Sequence, residues 1–168
     1  NRALSRWKVM MFSTGEKTPD SILKHHKGDW NAGQAARLPS IRAAAQYGIY
    51  DTLHGFEDGA LLSEHIAQST EKYHGTAGRL FIRQLLDDLE QAKQQATERM
   101  AAFMATIPEL SGQARRVAKR FAIAAAALEL AAPVTGLPIG VGMAGVKKCF
   151  DEWLEANGAG KHEDRRII

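Results

Sequence analysis

The spacing of apolar positions changes character near residue 59. Ahead of it, Trp7-Lys8-Val9-Met10-Met11-Phe12-Ser13 is a short apolar run stopped by Thr14-Gly15. A run that short, rich in Val and aromatics and closed by a turn signal, predicts a buried strand over residues 7–13. Residues 20–27 predict a short helix, with Pro19 near its start and Gly28 as its stop. A loop follows over 29–33, and residues 34–41 predict a second strand, although Ala35 and Ala36 are poor strand formers. Residues 47–58, with Gly48, Asp51 and Gly55, read as irregular.

Past Gly59 the period becomes helical. Leu61, Leu62, His65 and Ile66 share one face, ending near Tyr73-His74-Gly75. Leu80, Ile82, Leu85, Leu86, Leu89, Ala92, Ala96, Met100, Phe103 and Met104 predict one long helix, broken by Pro108. Residues 113–131 form another, basic at its start and alanine-rich after it. A last helix over 145–156 turns Val146, Cys149, Phe150, Trp153 and Leu154 inward and stops at Asn157-Gly158. The uncharged stretch 130–146 is interrupted by Pro133, Gly136, Pro138, Gly140, Gly142 and Gly145, so a helix end, a turn and a helix start are expected there, not a membrane span. The fold class is therefore mainly α with a few β-strands, divided into strands and loops over 1–58 and a helical region over 59–168. Two strands do not complete a sheet, and the chain opens at Asn1 without a signal-peptide hydrophobic region. It reads as a fragment whose remaining strands lie before Asn1.

Composition narrows this picture only slightly. The 168 residues are 45% apolar and 24% charged, as in a globular domain or a compact piece of one, which excludes wholesale disorder. A net charge of +3 permits a polyanionic partner without demanding one. The single Cys149 excludes an intrachain disulfide and a cysteine-built zinc site, and it suits a reducing cytoplasm.

Five features are candidates for chemistry on residue type and spacing. Ser13-Thr14-Gly15-Glu16-Lys17-Thr18 lacks the glycine spacing of a phosphate-binding P-loop, but polar residues at a strand end line ligand crevices in α/β sheets. A plain strand-to-helix turn remains open for it. Gly140-Val141-Gly142-Met143-Ala144-Gly145 matches a dinucleotide pattern in form, yet Pro138 precedes it and no strand leads in, so a helix–helix turn is the reading. The six histidines are scattered, and adjacent His25 and His26 point apart on a helix, so no metal site is expected. Cys149, on an apolar helix face, reads as a buried inert thiol. The run Arg115-Arg116-Lys119-Arg120 is more informative. Residues 116, 119 and 120 share a helical face that would meet phosphate, and cations at a helix N-terminus are otherwise slightly unfavourable.

Several segments together resemble the family catalogued as "domain of unknown function 927". They are Phe12-Ser13-Thr14-Gly15-Glu16, Ala32-Gly33-Gln34-Ala35-Ala36-Arg37-Leu38, Leu53-His54-Gly55 and Tyr73-His74-Gly75-Thr76-Ala77. Arg120-Phe121-Ala122, Glu129-Leu130-Ala131 and Cys149-Phe150-Asp151-Glu152-Trp153-Leu154 add the C-terminal half. Order and spacing carry the resemblance from about Trp7 to Ile168.

What the resemblance implies is a helicase-like P-loop ATPase of plasmids, phages and other mobile elements, of the AAA+ or superfamily-3 type. This chain would be the C-terminal part of its α/β core plus a helical lid. Walker A and Walker B would lie before Asn1, so the fragment alone should not hydrolyse ATP. The full-length protein would bind ATP and Mg²⁺, form a homo-oligomeric ring and act on DNA. Ser13 and Thr14 match the polar sensor ending the strand after Walker B, with Glu16 nearby. Arg37 matches an arginine finger reaching a neighbouring subunit's nucleotide. Arg120, with Arg116 behind it, matches the lid sensor, and Gln34 would orient water or phosphate. The alternative is a non-catalytic helical nucleic-acid-binding or assembly module, including an inactivated ATPase kept as a scaffold.

Overall fold

The computed structural model describes residues 10–26, 28, 32–110 and 112–158. It is mainly helical. Among the described residues seven helices follow one another: α1 Pro19–His25, α2 Ala32–Arg37, α3 Gly59–Lys72, α4 Thr76–Asp87, α5 Leu89–Ala105, α6 Gly112–Thr135 and α7 Val141–Asn157. Local chemistry starts several of them. Thr18 caps α1 ahead of Pro19, and Asp58 caps α3 by accepting from the Leu61 N–H at 2.8 Å.

The long helix expected from Leu80 to Met104 is two. Asp88 leaves helical conformation (φ −148°, ψ 86°), and its carboxylate accepts the Gln91 N–H at 2.9 Å, so it ends α4 and caps α5. Periodicity alone cannot reveal this break, because Leu85, Leu86 and Leu89 keep helical spacing across it.

The core is a three-helix assembly centred on α6. Ala114, Val117, Ala118, Phe121, Ala122 and Ala125 line its buried face, where small side chains allow α5 and α7 close approach. Phe103 of α5 and Phe150 of α7 are fully buried. Phe150 meets Phe121 edge-on at 5.3 Å and Phe103 at 6.2 Å, and it stacks on Trp153 at 6.0 Å. Helix α6 runs through Pro133, which cannot donate to the carbonyl four residues earlier. One turn before that proline, Gln84 of α4 donates its side-chain amide to the Leu130 carbonyl at 3.0 Å.

The N-terminal third departs from expectation. Residues 34–41 are not a strand: α2 covers Ala32–Arg37, and 39–44 are irregular. Among the described residues no neighbouring strand offers a ladder, Ala35 and Ala36 favour a helix, and Ala36 finds an apolar seat against α6. The strand expected over 7–13 lies partly outside the described residues, and Met10 to Gly15 form no strand pairing. Among the described residues, strand content is limited to isolated bridges between Ala45 and Gly48 and between Tyr47 and Tyr50. Two quoted motifs have a conformational basis. His54 (φ 51°) and Gly55 (φ 92°) turn the chain with a Phe56-to-Leu53 backbone bond, and Gly75 (φ 77°) starts α4. No helix of the described residues is long and apolar enough to cross a membrane.

Because Phe150 joins all three core helices, Phe150→Ala is expected to lower unfolding stability by about 3–5 kcal/mol. Urea unfolding followed by far-UV dichroism measures it.

Candidate functional site

The residues nominated from sequence fall into two groups. Ser13, Thr14 and Glu16 lie on an exposed, irregular segment ahead of α1. No hydrogen bond or ion pair among the described residues joins them to Arg37 or Arg120, so the sensor constellation is not assembled here. Without a strand, nothing orders these side chains toward a common point.

The second group is brought together by packing. Helix α2 docks on α6 through Ala36, which is 8% exposed, and this turns the next residue, Arg37, outward into solvent. Gln34 is half-buried on the same short helix. On α6, Arg120 reaches across and donates through Nη1 to the Arg37 carbonyl at 3.0 Å. That carbonyl is at the end of α2, where helical partners run out and a cation is favoured.

Arg115, Arg116 and Lys119 are exposed on the first turns of the same helix. Helix α6 has no acidic residue in its first turn. Among the described residues, none of Arg37, Arg115, Arg116, Lys119 and Arg120 has an ion-pair partner; the four bridges formed are Lys24–Asp20, Lys93–Glu90, Lys147–Asp151 and Lys148–Asp51. The result is an open cationic surface on α2 and α6. Its guanidinium groups are suited to phosphate oxygens, which they meet through paired N–H donors.

This surface is not a pocket. One shallow groove of about 440 Å³ is lined by Tyr47, Tyr50, Leu53, Gly59 and Ser63, among others. A second, of about 390 Å³, is lined by Lys17, Ser21, Ile22, His25 and His26. None of the nominated residues lines either groove. The arginines would therefore meet a ligand presented to them, not enclose one. Among the described residues, no three His, Cys, Asp or Glu side chains converge to hold a metal.

The glycine-rich segment resolves as the turn between α6 and α7. The N-terminus of α7, where a dinucleotide phosphate would sit, is taken by the chain's own Glu129. Its Oε2 accepts the Gly140 N–H at 2.9 Å and its Oε1 the Met143 N–H at 2.8 Å. Helix α7 crosses so close that a Cβ on Gly142 would stand 2.6 Å from the Leu128 Cβ. These two backbone N–H groups hold the Glu129 carboxyl below its usual range against the cost of burial, and the Arg99 charge adds to the effect. Sequence reading passed over Glu129 as a functional group. Its only signal is a lone acid in an alanine-rich helix, followed by a glycine run. Cys149 is half-buried, and burial pushes the pKa of its thiol up.

Compared with known proteins, the chain matches no family model, no curated protein and no solved structure.

Removing the internal cap should be costly. Glu129→Ala strands two backbone donors and is expected to destabilise the fold by about 1–3 kcal/mol at neutral pH. The lowered native pKa makes the carboxylate's contribution complete above the ordinary value of 4.5. It is lost as pH falls from there through the native value, so the gap between wild type and Glu129→Ala should narrow in acid. Thermal melts of both proteins at pH 7 and in acid measure this.

Proposed function

We propose that this chain is the C-terminal, helical portion of a helicase-like P-loop ATPase of the kind implied by its resemblance to the "domain of unknown function 927" family. Its contribution is a set of phosphate-contacting cations, with Arg37 foremost. The observation that carries this reading is the cationic surface of α2 and α6, where five basic side chains share no acidic partner among the described residues. Such a surface stores unfavourable self-repulsion unless an anion meets it. The order of the resembling motifs supports the ATPase context.

In that context Arg37 extends from the open end of α2 toward a nucleotide held by a neighbouring subunit of a homo-oligomer. Its planar, permanently charged fork neutralises the charge that builds on the transferring phosphoryl group. ATP and Mg²⁺ would be held by the P-loop part that the resemblance implies. Arg116 and Lys119 add positive potential beside it, and the protein works on DNA in the cytoplasm. Ser13, Thr14 and Glu16 would take a sensor role only where a sheet orders them.

Arg37→Ala in the protein carrying its P-loop part should lower ATP turnover about a thousandfold. Turnover close to that of the unsubstituted protein would sink the finger assignment.

The second reading, a non-catalytic helical module for nucleic acid, is favoured by the spread of Arg115, Arg116 and Lys119 over successive turns of α6 instead of a single point. It predicts that the 168-residue chain binds single-stranded DNA with an affinity that falls steeply with salt. Fluorescence anisotropy across a salt series measures the slope. Replacing Arg115, Arg116 and Lys119 together by Gln should flatten that slope by about two, at roughly 0.7 per lost phosphate contact on a single strand. A slope that does not change excludes this face.

A further inference from the structure

Helix α4 lies against α5 and α6, yet none of its side chains is buried. Phe81, Gln84 and Leu85 are half-buried, and Gln84 fixes this side through its bond to the Leu130 carbonyl. One turn apart on an outer side, Ile82 and Leu86 are 57% and 67% exposed. They form an apolar row left in water, and large apolar side chains grouped at a surface mark a contact site.

A charged row borders the apolar one. Arg79, Arg83 and Asp87 follow at four-residue spacing and are exposed. Arg79 stands three positions before Ile82 and Arg83 three before Leu86, so the two rows are neighbours on the helix surface. Among the described residues none of these three charges has an ion-pair partner, and Arg83 and Asp87 do not pair with each other. Their order is also the reverse of what the helix dipole favours, with no acid in the first turn and no base in the last. A second α4 running in the opposite direction answers both features, because its apolar row covers this one and its acidic end meets these cations.

We infer that α4 is a self-association surface: two copies of the chain pair through it antiparallel, Ile82 packing on the partner's Leu86 and Arg83 meeting the partner's Asp87. A two-fold axis makes each of these contacts occur twice. In an antiparallel pair the two charged rows run along the same edge of the seam in opposite directions, which sets unlike charges together. In a parallel pair they fall on opposite edges and miss each other. Four exposed apolar side chains with a charged rim make a contact at the low end of specific interfaces, below about 1,200 Å² in total, so the dimer is weak and concentration-dependent. It is independent of the ATPase reading, since α4 carries none of the five cations of α2 and α6, and a paired contact differs from the head-to-tail contact of a ring.

Sedimentation equilibrium of the 168-residue chain from about 10 μM to 1 mM, a range that brackets weak association, tests this. The mass should rise from 18.4 kDa toward twice that value. Ile82→Lys with Leu86→Lys should hold the monomer mass throughout, with far-UV dichroism unchanged because both positions are exposed. Arg83→Asp and Asp87→Arg, each alone, set like charges across the seam and should weaken the dimer about tenfold. An equimolar mixture of those two variants should dimerise again, since one copy then carries two acids where the other carries two arginines. A chain that stays monomeric to 1 mM overturns the inference. So does a dimer that survives the paired lysine variant, which places the contact elsewhere. A mixture that associates no better than its components overturns the antiparallel arrangement. A monomer that instead co-sediments with phosphatidylserine vesicles assigns this face to a lipid surface and overturns self-association.

Discussion

The alanine-lined face of α6 is the constraint on which the rest of the structure depends. Ala114, Ala118, Ala122 and Ala125 give up side-chain volume so that α5 and α7 come close enough for Phe150 to touch both Phe103 and Phe121. Burial of those rings is the main source of stability a chain of this kind can draw on. Ala36 joins the same core cluster, which seats α2 on α6 and leaves Arg37 exposed beside it. Core packing and candidate chemistry are therefore mechanically linked through one helix.

The two ends of α6 handle charge in opposite ways. At its C-terminal end the chain answers its own electrostatic demand: the N–H groups opening α7 are met by Glu129, which is buried and needs nothing from outside. At its N-terminal end Arg115, Arg116 and Lys119 gather where the helix dipole disfavours cations, and none of them has an ion-pair partner among the described residues. The glycine pattern is the more familiar nucleotide signal in sequence, and here it serves only a helix crossing at Gly142.

What could be read from sequence follows the range of the physics involved. The apolar spacing of α3, α6 and α7 is a local property, and those helices appear close to where the pattern puts them. The inward positions of Phe150 and Trp153 were legible for the same reason. Asp88 was not read as a cap, because leucines on both sides keep the helical period through the break. Residues 34–41 misled for a different reason. Strand formation depends on a partner, and among the described residues Ala36 meets a helix face, so the segment coils onto it. The basic character of residues 115–120 was plain, but the bond from Arg120 to the Arg37 carbonyl was not, since nothing local relates positions 83 residues apart.

By itself, the sequence determined a mainly helical protein with an alanine-rich central helix, a lone cysteine on an apolar helix face and a basic run at the start of the central helix. Each of these depends on spacing within a turn or two, or on composition. Tertiary structure alone decided which cations stand together, which one is spent on a backbone carbonyl, and which carboxylate closes the glycine turn. Those outcomes depend on how α2, α6 and α7 lie against one another, and that is set by how closely side chains pack where the helices cross.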